Sequence, residues 1–322
     1  MTLDGCVRVG VDGTDASRRA VRWAAEEARV RGVGLHIVHA IDPDDDAGAY
    51  EIRTAATSPA VLALLDGARA IAQHTAPGLT VETDADVRPP AIALTDPRFE
   101  PVLLCVGSAG QAAPHPGHRV SLTTEVLLAA ACAVVVVRGP WNPDGWVVVE
   151  VGDSPRSGEL LRMGVREARL RSLPLRVLTA GDPMSEAVKT TREDIHRRIV
   201  VDLERYRRLA PDLDVVAAPT VWTSEQYLYR YQQRIGLYLA PTRDTHDIGT
   251  VIHPDAVRAL AVLSCPVMFN ADLQQGHSVI DGGAHRQVTV ASTRVAGSGC
   301  TAESLVSDFL PTDYGARLAD VD

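Results

Sequence analysis

The sequence predicts an α/β protein of two tandem domains, each a five-stranded, parallel, doubly wound sheet. Three observations predict it. Short apolar runs alternate with segments of helical periodicity over residues 1–138, the pattern of buried strands joined by crossover helices. The pattern then starts again. Val21-Arg-Trp-Ala-Ala-Glu-Glu-Ala-Arg-Val-Arg-Gly32 is matched by Leu161-Arg-Met-Gly-Val-Arg-Glu-Ala-Arg-Leu-Arg-Ser172, 140 positions on. Leu35–Ala40 matches Leu175–Ala180 at the same offset, and Cys132-Ala-Val matches Cys265-Pro-Val 133 positions on. Matches in register mark an internal duplication. Between the copies, 138–145 holds two prolines and two glycines, the composition of a connector.

In the first copy, Val7–Val11 reads as a strand ending at the turn Asp12-Gly13-Thr14. Ala16, Ala20, Trp23, Ala24 and Ala28 then recur at helical spacing until Gly32 stops the helix. Leu35–Ala40 is the second strand. The acidic stretch Asp42–Thr57 is longer than most connections, which marks it as mobile or functional. Ser58-Pro59 opens a helix toward His74, with proline in the first turn where its missing N–H costs nothing. Leu79–Val87 alternates as a strand, and prolines cut short the helix near Ala91–Thr95. Val102–Val106 is a continuous apolar run, as a strand buried on both faces requires. After Gly107 and Gly110, Ser121 caps a helix, and Ala133–Val137 is the last strand.

The second copy has strands at Val147–Val151, Leu175–Ala180, Val215–Val221 and Leu237–Leu239, and the last at Pro266–Phe269. Its helices are Ser157–Arg171, a long one from about Pro183 to Leu209 with Ile195, Ile199, Leu203 and Tyr206 on one stripe, Ser224–Gln233, and one opening at His253-Pro254. Where the first copy has Gly107 and Gly110, this one has Ala240-Pro241-Thr242-Arg243, so no phosphate cradle survives. The domains are therefore 1–138 and 146–270. Residues 271–322, rich in Gly, Ser, Asp and His, read as a mostly disordered tail, with Gln287–Ala291 as a candidate edge strand.

Hydrophobic content of 46% and charged content of 23% are those of a soluble globular protein. A net charge of −9 without a basic block argues against a nucleic-acid-coating surface. The longest apolar run, Val126–Val137, has 12 residues, short of the about 20 that a bilayer span needs. The N-terminus lacks a secretory pattern, so a cytoplasmic protein is expected. Cys6, Cys105, Cys132, Cys265 and Cys300 form no CxxC pair and read as free thiols. His115 and His118 lack a partner at metal-ligand spacing, so no metal site is assigned. No GxSxG, HExxH or GxxxxGK[ST] is present, and no catalytic residue is assigned.

The chemistry is concentrated in residues 102–137. A buried strand, two glycines and a capped helix make a cradle in which backbone N–H groups face an anion. Gly107 and Gly110 are expected to supply positive φ and a close approach to ligand. By its residues alone this is any βαβ phosphate or nucleotide site. The order Gly107-x-x-Gly110, nine residues, Val120-Ser121, with Val9-Gly10-Val11-Asp12-Gly13-Thr14 and Val38-His39-Ala40, resembles the universal stress protein family. The family loop carries a third glycine where this chain has Val120, whose branched side chain resists positive φ.

That resemblance implies an adenine nucleotide alpha hydrolase-like, Rossmann-like fold and a stress-response regulatory role. It implies ATP as ligand, accompanied by Mg2+, and at most a weak ATPase. By position, Asp12 would accept a hydrogen bond from the nucleoside and the backbone of Ala40 would meet the adenine edge. Gly107 and Gly110 would admit the phosphates, and Ser121 with the N–H groups of Leu122 and Thr123 would hold the terminal ones. Asp12-Gly13 is equally a common turn pair, and Ser121 an N-cap in any protein. The alternative is a nucleotide-free interaction scaffold of the same fold. The family also pairs the last strands of two domains, as in a homodimer, which here would join Ala133–Val137 to Pro266–Phe269.

Overall fold

The structure, a computed structural model, describes residues 5–42, 56–108, 121–152, 157–179, 186–219, 221–241 and 263–270. All belong to one compact unit, Met1–His277. Most of the acidic loop, Gly110, His115, His118, Val120, the helix expected at His253-Pro254, Cys300 and the tail lie outside the described residues.

The first half runs β1 (Val7–Gly10), α1 (Asp15–Arg31), β2 (Leu35–Ala40), α2 (Pro59–Thr75), β3 (Val81–Asp86), α3 (Pro90–Leu94), a 3-10 turn (Pro97–Phe99), β4 (Leu103–Gly107), α4 (Leu122–Ala129) and β5 (Ala133–Val137). The second runs β6 (Trp146–Val151), α5 (Ser157–Arg171), β7 (Leu175–Thr179), α6 (Glu186–Leu209), β8 (Val215–Ala217), α7 (Ser224–Tyr231), β9 (Ile235–Ala240) and β10 (Val267–Phe269). The ends are set by capping. The Thr14 side chain accepts from the Ser17 N–H, and Gly32, at φ 67°, turns its own N–H back onto Ala28 and Arg29. Ser58 caps α2 and Ser121 caps α4 in the same way.

The ten strands of the described residues form one sheet, in the order β3-β2-β1-β4-β5-β10-β9-β6-β7-β8. Read inward from its own edge, the second half, β8-β7-β6-β9-β10, repeats the order of the first. Neighbours within each half are parallel. The halves meet where β5 and β10 run antiparallel, Val135 opposite Met268, which is the pairing that the resemblance implies. This join hides two edges that would otherwise invite association. The outer edge strand β3 carries Glu82, Asp84 and Asp86, charges of the kind that discourage edge-to-edge pairing.

One buried cluster lies on each face of the sheet, and both cross the join. Val134–Val137 are each no more than 1% exposed, and burying one valine fully is worth roughly 1.5–3 kcal/mol. On the α1/α5 face the duplication places Glu27 and Arg31 against Glu167 and Arg171. Arg31 bonds Glu27 and Glu167, and Arg171 bonds Glu167 and Glu27, at 2.5–2.6 Å. All four side chains are no more than 11% exposed.

Two expectations change. Strand β9 has six residues where an apolar run of three is predicted, because Gly236 lets the backbone pass close to the connector: a Cβ there would lie 2.6 Å from the Asn142 carbonyl. Strand β8 stops at Ala217 rather than Val221. One further ladder bond follows, from the Ala218 N–H to the Val177 carbonyl at 2.8 Å, and the Thr179 carbonyl accepts from Arg192 Nε at 3.1 Å. The connector itself is tied down, with the Gly139 N–H donating to Ser264 and Asn142 Nδ2 to Gln233.

Candidate functional site

Parallel pairing puts the carboxyl ends of β1, β2 and β4 on one edge of the first half. Beside β1 the chain leaves in opposite directions, to β2 and to β4, which is the switch point where open α/β sheets receive ligands. Asp12, Ala40 and Gly107 lie at the carboxyl ends of β1, β2 and β4, and Ser121, Leu122 and Thr123 open α4.

Asp12 follows the last residue pair of β1. Its Oδ1 accepts from the Thr14 N–H at 2.9 Å and from the Thr14 hydroxyl at 2.6 Å. Partial burial pushes its carboxyl up, but the hydrogen bonds from Thr14 and Ser17 outweigh this and hold it below the usual carboxylate range. It is therefore an anion at neutral pH that shapes the entry to α1. An anionic acceptor suits a sugar hydroxyl and repels a phosphate.

Ala40 offers backbone. The β1–β2 ladder ends at Gly10 opposite Val38, whereas β2–β3 continues to Ala40 opposite Asp86. The β1-facing edge of Ala40 thus extends past the last ladder partner, and a planar heterocycle can take up such a free peptide edge. Next to it, His39 Nδ1 is 2.8 Å from the Val11 carbonyl, a contact that no sequence pattern announces.

Gly107 corrects an expectation. It is the last residue of β4 and is not among the glycines with positive φ. A Cβ there would lie 2.5 Å from the backbone C and O of Ala16 and 2.7 Å from the Ser17 N. Glycine is needed because the first turn of α1 lies against the end of β4, so the space it leaves is filled by protein. Gly110 lies outside the described residues. At α4, Ser121 Oγ accepts from the Thr124 N–H at 3.3 Å and lies 3.0 Å from the Thr124 hydroxyl. Ser121 and Leu122 are exposed, and the first-turn N–H groups of Leu122 and Thr123 have no partner within the helix. They form a donor set fit for an anion.

The second half departs at the equivalent places. Val147 pairs with Leu237 as Val7 pairs with Leu103, so Pro241 takes the place of Gly107 and Gly152 that of Asp12. Glu150, in the place of Gly10, is fully buried and accepts from Ser224 Oγ at 2.5 Å and from the Tyr238 hydroxyl.

A family model described as the universal stress protein family matches residues 7–138. The universal stress protein Rv2028c of Mycobacterium tuberculosis is 27% identical over 268 residues, 81% of this chain and 94% of its own. A second from that organism, Rv3134c, is 29% identical over 259 residues, 77% of this chain and 92% of its own. Residues 7–138 belong to the universal stress protein family, and both relatives align across the second half as well. A universal stress protein structure from Archaeoglobus fulgidus DSM 4304 covers 83% of this chain and 96% of its own at TM-score 0.62 and 12% identity, a likeness of fold. Matches that span the join fit a tandem member of the family.

Burial pushes the Cys105 thiol well up and those of Cys132 and Cys265 to about 12, which keeps them protonated and unreactive at neutral pH. Among the described residues no group of His, Cys, Asp or Glu is placed to hold a metal, and no helix is long and apolar enough to cross a membrane.

Proposed function

We propose that this universal stress protein is a cytoplasmic, stress-response regulator whose first domain, residues 1–138, binds an adenine nucleotide, ATP with its Mg2+ being the form expected. The second domain, residues 146–270, is a degenerate copy that stabilises the first. The observation that carries this reading is the asymmetry of the two halves. Their strand order is identical, yet where the first has Asp12 and Gly107 the second has Gly152 and Pro241. Asp12 would take a ribose hydroxyl, Ala40 the adenine edge, and Ser121 with the N–H groups of Leu122 and Thr123 the phosphates; Gly110 would admit them.

The second reading, a nucleotide-free scaffold, has its own support: Gly107 is explained by packing against Ala16 alone, and Val120 stands where the family loop has glycine. Isothermal titration with MgATP separates them. Heat from the wild type that is lost in Ser121→Asp, a variant whose helix cap is preserved, supports the nucleotide site. A wild type without heat, shown folded by circular dichroism, supports the scaffold.

A further inference from the structure

We propose that the groove between α5 and α6 is a docking site for a short acidic, amphipathic peptide segment of a partner protein. The groove encloses ≈ 810 Å³ on the second half, away from the first-domain crevice and independent of the nucleotide reading. Its rim carries Arg162, Arg166 and Arg169 from α5 and Arg205 from α6, and its floor is Val165, Leu170, Tyr206 and Leu209. Asp212 is the one acidic residue among those lining it.

The duplication shows what is unusual here. In the first half the corresponding face of α1 has Arg22, Glu26 and Arg29, and Arg29 Nε bonds Glu26 at 3.0 Å. In the second half Arg166 stands where Glu26 does, so an ion pair has become a cluster of one sign. Among the described residues Arg162, Arg169 and Arg205 make no ion pair. Arg166 reaches only Glu167, at 3.7 Å, and that carboxylate is already held by Arg31 and Arg171. Like charges one turn apart repel, and an anion laid along the groove removes that repulsion.

The floor selects the class of anion. Leu209 is 68% exposed and Leu170 37%. Inorganic phosphate would leave both in water. A nucleic acid would find a single aromatic ring rather than a stacking platform, on a chain of net charge −9. A peptide alternating Asp or Glu with Leu or Phe answers rim and floor together, in the helix-in-groove manner. Arg162 to Arg169 spans roughly 10 Å of helix axis, enough for two turns of the partner.

The test is fluorescence anisotropy on the full chain. The probes are a labelled peptide of about ten residues with Leu at helical i, i+3 and i+7 positions and Glu between, the same peptide with Ser for Leu, and a single-stranded oligonucleotide of equal charge. The leucine peptide is expected to bind tightest. Arg166→Glu, which restores the sign found in the first half, is expected to weaken it by at least about tenfold, and Leu209→Ser by about tenfold. Both positions are exposed, and an unchanged thermal midpoint establishes that each variant is folded. Equal binding of the serine peptide or of the oligonucleotide, or indifference to either substitution in a folded variant, overturns the proposal.

Discussion

Arg31 of the first half donates to Glu167 of the second at 2.6 Å, and Arg171 of the second donates to Glu27 of the first at the same distance. Each carboxylate also keeps the arginine one turn along its own helix. The copies of one ancestral pair thus exchange partners across the sheet join and lock α1 to α5. Burial pushes the Glu167 carboxyl up, but Arg171 and Arg31 outweigh it and hold it below its usual 4.5.

Glu167→Ala is therefore expected to cost about 3–5 kcal/mol in urea unfolding, since it leaves two buried guanidinium groups sharing one carboxylate. Replacing all four residues by leucine or methionine is expected to be neutral or stabilising. The sign in pH follows from the lowered carboxyl. Its contribution is complete above the unfolded value of 4.5 and is lost as pH falls through the folded one. A Glu167→Ala penalty that persists undiminished at the acid end of that range would show packing, not charge, to be the cause.

Gly107 and Gly32 separate two reasons for glycine. Gly107→Ala drives a Cβ to 2.5 Å from the Ala16 backbone and is expected to cost about 3 kcal/mol, the upper end of overpacking. Gly32 has nothing within 4 Å of its would-be Cβ but sits at φ 67°. Gly32→Ala is expected to cost only about 1–2 kcal/mol, the left-handed backbone penalty. Equal costs in thermal unfolding would refute the close-approach account.

At α4 two substitutions at one position part stability from recognition. Ser121→Ala removes the cap on the Thr124 N–H and is expected to cost about 1 kcal/mol whether or not nucleotide is present. Ser121→Asp keeps the cap, so its thermal midpoint should match the wild type, while its charge opposes phosphates at the helix N-terminus. A fall of at least about tenfold in MgATP affinity is expected. Unchanged affinity would remove the phosphates from this helix.

Most of the architecture is legible in the sequence because the strands here are buried on both faces. Ala133–Val137 and Ser157–Arg171 are found with the predicted ends, and the near-constant offset between copies marks the second half as a repeat of the first. The shortfalls occur where backbone meets backbone. Nothing in the run around Gly236 reveals that the connector passes 2.6 Å away, and nothing near Val215 reveals that Arg192 bonds the Thr179 carbonyl at the end of β7. At the site, residue types and topology were readable, whereas the reason for Gly107 was not, since it depends on Ala16, remote in sequence. The ion-pair tetrad had left a signal in the matched Glu-Ala-x-x-Arg segments, but only the join brings the two copies together.

His36 gives the last prediction. It lies on β2 opposite Arg8 of β1 and Glu82 of β3, 4% exposed, with its ring 4.8 Å from that of Phe99. Arg8 is fully buried with its guanidinium 4.0 Å over the same ring, and among the described residues its nitrogens make no hydrogen bond. Burial first, and the Arg8 charge second, push the His36 imidazole down to about 4 from 6.5, with Asp84 opposing. The folded state therefore holds the ring neutral while the unfolded chain protonates it. Stability is complete above pH 6.5 and falls as the pH drops toward 4, by roughly 3 kcal/mol over that window. His36→Leu is expected to flatten this part of the urea-midpoint profile, and Arg8→Met, by removing the second cause, to shift the loss to a narrower window nearer pH 6.5. A wild type and His36→Leu with parallel profiles between pH 4 and 6.5 would show that the ring titrates normally and that Arg8 and Phe99 do not enclose it.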